Sequence, residues 1–149
     1  MEKQIIIDCI PPKHTAQASN RILKTKEGKY FIGKKSDSKA IQTQNDLMTL
    51  LYPHRPEKPF EGALEVKIKW VYPYRKSEPK KNRQGEILCY TRPDIDNLCK
   101  LLFDTMTRIG FWLDDSQVAK LEFVKNWGDR PRIELFIKDK INEYGHGNK

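Results

Sequence analysis

Apolar and polar positions alternate almost strictly from Ala63 to Tyr72. Leu64, Val66, Ile68 and Trp70 fall on one side, and Glu65, Lys67 and Lys69 on the other. That period of two predicts a strand with one wet face. Elsewhere the pattern changes along the chain. Ile5, Ile6, Ile7 and Ile10 make a β-branched run suited to a buried first strand, which Pro11-Pro12 ends. The stretches 21–25 and 29–34 flank Lys26-Glu27-Gly28 and read as a hairpin. Between Ser36 and Tyr52 the period lengthens: Ala40, Ile41, Leu47, Met48, Leu50 and Leu51 predict an amphipathic helix capped by Ser36 or Ser38 and stopped by Pro53. A second helix is expected to about Arg108, capped by Asp96 or Asn97 and ended by Gly110, with Leu98, Leu101, Leu102, Thr105 and Ile109 as its apolar stripe. Strands are expected over 118–125 and 132–137, and a loose tail over about 138–149.

Composition narrows the class. The chain has 149 residues, 38% hydrophobic and 32% charged, which predicts one soluble α/β domain spanning 1–149 with a heavily solvated exterior. No apolar run approaches the roughly 18 residues of a membrane span, and the N-terminus does not read as a signal peptide. Cys9, Cys89 and Cys99 include no CxxC pair, so neither a disulfide framework nor a structural zinc site is expected, and reduced thiols in the cytoplasm are. The net charge of +8 points to an anionic partner, with nucleic acid the first candidate. Much of that charge lies in the irregular segment at about 73–90, where Arg75, Lys76, Lys80, Lys81 and Arg83 could close over phosphates. Tyr72, Tyr74 and Tyr90 at its edges could stack on bases or pack in the core. His14 reads as a solvated loop residue.

Against this basic background stand four carboxylates around one helix: Asp94 and Asp96 before it, Asp114 and Asp115 after it. Oxygen ligands of this kind suit Mg²⁺, which keeps several waters and completes its shell with substrate phosphate. Two such ions can activate an attacking water and stabilise the leaving oxygen of a phosphodiester. Lys100, one turn after Asp96, could offset carboxylate repulsion or stabilise charge developing on phosphate. Each part also has a plainer explanation. A lone DxD is commonly a helix cap, Asp114-Asp115 a polar turn, Lys100 an ion-pair partner, and Asp104 a structural or surface residue. A helix of this length holds its ends roughly 18 Å apart. Tertiary packing, or a partner chain, therefore has to bring the acids together.

The run RPDIDNLCKLLFDTM, followed by GFWLDDSQV and a later lysine, resembles the signature of the RusA-type Holliday-junction resolvases, or crossover junction endodeoxyribonucleases. The match covers about 35 residues in one order and spacing, with the Pro-Pro after the first strand and the basic loop fitting more loosely. The resemblance implies a small α/β domain with a mixed sheet and two main helices, working as a symmetric homodimer with Mg²⁺ or Mn²⁺ on branched, four-way DNA. It implies that Asp94, Asp96 and Asp115 are the metal-binding catalytic carboxylates and that Lys100 is the catalytic lysine. Asp114 is the accompanying acid, and Lys125 falls at a basic position for phosphate. Relatives often carry a histidine before the first aspartate, where this chain has Cys89-Tyr90-Thr91. The expected activity is Mg²⁺-dependent resolution of junctions by paired symmetric nicks, in a cytoplasmic, DNA-associated protein. A non-catalytic DNA-binding module and a metal-dependent RNA nuclease are the alternatives.

Overall fold

The computed structural model describes residues 1–15, 20–34 and 38–139. In chain order the elements are β1 (Glu2–Asp8), β2 (Asn20–Lys24), β3 (Tyr30–Lys34), α1 (Ser38–Leu51), β4 (Leu64–Pro73), β5 (Ile87–Leu88), α2 (Ile95–Arg108), β6 (Val118–Gly128) and β7 (Arg132–Asp139). β2 and β3 pair as the expected hairpin, with Gly28 at φ +87° in its turn. The remaining strands form one mixed sheet in the order β1-β7-β4-β6-β5. Only β4 and β6 run parallel in it; the other neighbours are antiparallel. This is the small mixed α/β architecture expected from the sequence.

The parallel pair explains where the chemistry sits. Parallel neighbours cannot be joined by a tight turn and need a long crossover. Here that crossover is the stretch from Pro73 to Val118, which carries the basic segment, β5, α2 and all four motif aspartates. Below it, β4 sits between β7 and β6 and contributes Leu64, Val66, Ile68, Trp70 and Tyr72 to the core, each at most 2% exposed. Ile133, Leu135 and Ile137 of β7 and Ile5 and Ile7 of β1 continue that buried surface. Leu47 and Leu51 of α1 and Leu98, Leu102 and Met106 of α2 close over it as the two helices pack together. The two-period face of β4 and the 3.6-period stripes of the helices are complementary parts of one core.

Four expectations change. The second helix begins at Ile95 with Asp94 at its N-cap, so neither Asp96 nor Asn97 is the cap. The second face of β4 is not uniformly wet: Lys67 is exposed, but Glu65 and Val71 are buried, as befits a strand flanked on both sides. β6 and β7 each run past their predicted ends, to Gly128 and Asp139, because each pairs along almost its whole length with β4. The segment 73–90 is not a featureless loop, since it holds a short 3-10 turn at Lys80–Asn82 as well as β5. Ser36, and the tail beyond Asp139, lie outside the described residues. No helix among the described residues is long and apolar enough to cross a membrane.

Candidate metal and nucleic-acid site at the two ends of one helix

At the entry to α2, the chain from Cys89 to Asp94 lies over β6 and is fastened to it. Cys89 N–H donates to the Lys125 carbonyl at 2.8 Å. The Lys125 ammonium returns two bonds, to the carbonyls of Thr91 at 2.5 Å and Pro93 at 2.7 Å. The Arg92–Pro93 peptide is cis. Lys125 is only 7% exposed, so it is not the surface phosphate contact expected from the sequence. It is a buried cation whose charge is met by carbonyl oxygens, the condition under which a buried charge is tolerated. Its work is to hold the strap that presents Asp94.

Asp94 makes no side-chain cap bond although it stands at the N-cap, and Asp96 follows in the first turn. Both are exposed. Among the described residues no lysine or arginine lies within ion-pairing distance of either carboxylate, nor any carboxylate within that distance of Lys100, which is exposed one turn along α2. The positive end of the helix dipole makes this a favourable place for negative charge. Plain capping, the alternative explanation of DxD, would have engaged the Asp94 side chain with the first-turn N–H groups.

At the other end of α2 the chain turns under itself. Phe111 and Trp112 are buried, the Trp112 indole donates to Thr107 Oγ1 at 2.7 Å, and Phe60 N–H donates to the Phe111 carbonyl at 2.8 Å. Asp114 caps the following 3-10 turn, accepting from Ser116 N–H at 2.8 Å. Gln117 completes the capping box: its Oε1 accepts from Leu113 and Asp114 N–H, while its Nε2 donates to the Phe60 and Gly62 carbonyls. The bond from the Ser116 backbone holds the Asp114 carboxyl below the usual range. Asp115 is pushed the other way, first by partial burial, then by the neighbouring charges of Asp114 and Asp104. Asp104, Arg108, Asp114 and Asp115 line a common hollow. Asp104, expected to be a bystander, therefore faces the DD turn.

The two acid groups do not meet within one chain. Asp96 and Asp104 are about 12 Å apart along the helix axis. Among the described residues no three Asp, Glu, His or Cys side chains are gathered closely enough to hold a metal ion. The donor chemistry, oxygen atoms alone, fits a hard divalent cation. Crowding of like charge around Asp115 fits one as well. The geometry of a single chain keeps the two acid groups apart.

The basic segment divides in a similar way. Arg75 lies over Trp127, its guanidinium carbon 4.1 Å from the ring centre, with bonds to Tyr90 Oη at 3.2 Å and Glu78 at 3.1 Å. Arg83 donates to the Glu78 and Arg75 carbonyls, both at 3.0 Å. These two arginines stitch the segment together. Lys76, Lys80 and Lys81 are exposed, as is Arg83. Of the three tyrosines, Tyr72 is buried and Tyr74 bonds the Gly85 carbonyl, while Tyr90 is 76% exposed and rests edge-on against Trp127.

Gln117 and the true role of Lys125 were within reach of the sequence. Asp114 and Gln117 have capping-box spacing, and Lys125 shares a period-two face with Phe123 and Trp127. No local signal marks Lys13 and His14, which the fold carries to the side of Asp94, where they line a hollow with Arg92 and Asn97.

Residues 10–138 match the family model for endodeoxyribonuclease RusA. An uncharacterised protein of Bacillus subtilis, YqaN, is 32% identical over 92 residues, which is 58% of this chain and 64% of that protein. A crossover junction endodeoxyribonuclease of Lactococcus phage r1t is 33% identical over 93 residues, 62% of this chain and 69% of the phage protein. The crossover junction endodeoxyribonuclease RusA of Escherichia coli K12 is 47% identical over 53 residues, covering 35% of this chain and 44% of that enzyme. The aligned part thus spans about two-thirds or less of these relatives. With its mixed sheet, its crossover helix and an acid pair at each end of that helix, the chain belongs to the RusA endodeoxyribonuclease family.

Proposed function

We propose that the protein is a Mg²⁺-dependent endodeoxyribonuclease that resolves four-way DNA junctions by paired symmetric nicks, acting as a homodimer. The observation that carries this is the pair of uncommitted carboxylates, Asp94 and Asp96, on a strap fixed by a buried lysine at the N-terminus of a helix. A two-fold pairing of chains that sets this end of α2 beside the Asp115 turn of the partner would complete an oxygen-ligand set which one chain leaves divided. Two such sites, related by the same axis, would suit the approximate two-fold symmetry of a four-way junction.

Asp94, Asp96 and Asp115 would hold Mg²⁺, which when bound supplies a polarised phosphoryl oxygen and an activated water. The chain's own residues do the rest. Asp114 caps the turn that carries Asp115 and keeps it rigid. Lys100 sets a positive charge one turn from Asp96, where it can stabilise charge developing on phosphate oxygens. Lys76, Lys80 and Lys81 supply sequence-independent affinity that falls with salt.

A labelled four-way junction incubated with the protein, with and without Mg²⁺, tests this directly. Paired nicks at symmetric positions that appear only with the metal are expected. Binding without nicking in Mg²⁺ or Mn²⁺ would instead make the protein a DNA-binding module. Preferential cutting of an RNA duplex in competition would make it an RNA nuclease.

A further inference from the structure

The hollow beside Asp94 has a composition unlike that of the acid pairs. It measures about 340 Å³, far more than the ~10–15 Å³ that one water needs, and is open to solvent. Lys13, His14 and Thr15 form one wall, and Arg92, Asp94 and Asn97 the other. The first wall is anchored from below. The Tyr72 hydroxyl, in the core, donates to the Pro12 carbonyl at 2.6 Å, and the Lys13 ammonium lies 5.8 Å from the centre of the same ring. Pro11-Pro12 thus does more than end a strand: it delivers the next three residues to the mouth of α2.

The chemistry of this hollow selects an anion. It contains one carboxylate against a lysine, an arginine, an imidazole, a hydroxyl and an amide. The carbonyls of Thr91 and Pro93 are engaged by Lys125. The first-turn N–H groups of α2, a 14-residue helix, lack intrahelical partners and lie at the same end, uncapped by the Asp94 side chain.

We infer that Lys13, His14 and Arg92 form a subsite for a DNA backbone phosphate, next along the strand to the phosphate placed at Asp94 and Asp96. Its position in the strand rests on the nuclease function proposed above; its capacity to bind phosphate does not. The subsite fixes register, because holding one phosphate determines which neighbour reaches the acid pair.

The test uses the full chain and a four-way junction, with binding measured in EDTA so that no cutting occurs. In Lys13→Gln/His14→Gln, affinity should fall about tenfold and the slope of log K against log salt should shrink by about one. Lys13→Arg should keep both near the parent values. Replacing single phosphates near the crossover by neutral methylphosphonates should reveal one position that weakens the parent protein and leaves the double variant unaffected. Both side chains are exposed, so the double variant is expected to melt with the parent. An unchanged affinity and slope, or a methylphosphonate profile shared by parent and variant, overturns the subsite. The scan also separates the two proposals. A sensitive phosphate in a protein that never nicks junctions would leave the subsite standing without the nuclease. Nicking with no sensitive phosphate would do the reverse.

Discussion

The two ends of α2 carry the same kind of residue under opposite conditions. At the N-terminal end Asp94 and Asp96 are exposed, unpaired among the described residues and supported by roughly half a unit of positive charge from the helix dipole. At the C-terminal end Asp104, Asp114 and Asp115 line one hollow with Arg108 where the dipole is negative, and a net of hydrogen bonds from Gln117 and Ser116 keeps the turn from relaxing. One end is comfortable for negative charge and short of ligands. The other holds the Asp115 carboxyl above its usual range, first by partial burial and then by the nearby charge of Asp114. Neither end gathers three metal-ligating side chains among the described residues.

That contrast can be broken most sharply at the carboxylates themselves. Asp94→Asn, Asp96→Asn and Asp115→Asn should each lower single-turnover junction cleavage by more than the ~100-fold typical of losing an outer-shell partner. Binding in EDTA should be unchanged or tighter in a gel shift, since each substitution removes negative charge near DNA. Unfolding in all three would point to structural roles instead.

Whether the two ends act within or between chains is decided by mixing. Asp96→Asn and Asp115→Asn chains, refolded together in equal amounts, should form roughly half heterodimers, each with one intact composite site. Single nicks should return in the mixture though neither parent cuts. Should the mixture stay as inactive as its parents, the site does not span two chains.

Two residues behind the ends should show in stability. Lys125→Met removes a buried cation and strands the Thr91 and Pro93 carbonyls, so denaturant unfolding should register a loss of about 2–4 kcal/mol. Gln117→Ala leaves the DD turn without its cross-bracing and should cost about 1–3 kcal/mol. Cleavage by the folded Gln117→Ala protein should drop more than its junction affinity, because Asp115 loses its fixed position.

The smallest effect separates these acids from one already supplied with cations by the protein. Glu86 pairs with Arg132 at 2.5 Å and Lys69 at 3.1 Å, and the bond from Arg132 is the main reason its carboxyl is held below the usual range. Its stabilisation is therefore present above the unfolded-state pKa and fades as pH falls through the folded one. Glu86→Gln should cost about 1 kcal/mol at neutral pH and nothing once the carboxyl is protonated in both states. Mg²⁺ should not alter that cost.

Much of this protein was legible in its sequence because the relevant signals are local. The period-two run of β4, the hairpin around Gly28 and the apolar stripe of α2 each reflect how consecutive side chains meet a core, so they survive in one dimension. The DxD, the lysine one turn later and the DD turn were equally visible, because fixed spacing on a helix implies fixed position on it. Tertiary structure decided what spacing cannot carry. It turned Lys125 from an expected DNA contact into a buried fastening, because β6 faces inward at that point. It tied Arg75 and Arg83 into the loop's own framework, because Trp127 and the loop carbonyls lay within reach. It set Lys13 and His14 beside Asp94, residues that only the path of the chain after Pro12 could bring there. Residue types and their periods determine which elements form and which side chains could do chemistry. Which of those side chains are left free to do it depends on contacts between elements distant in the chain, and these exist only once the core has closed.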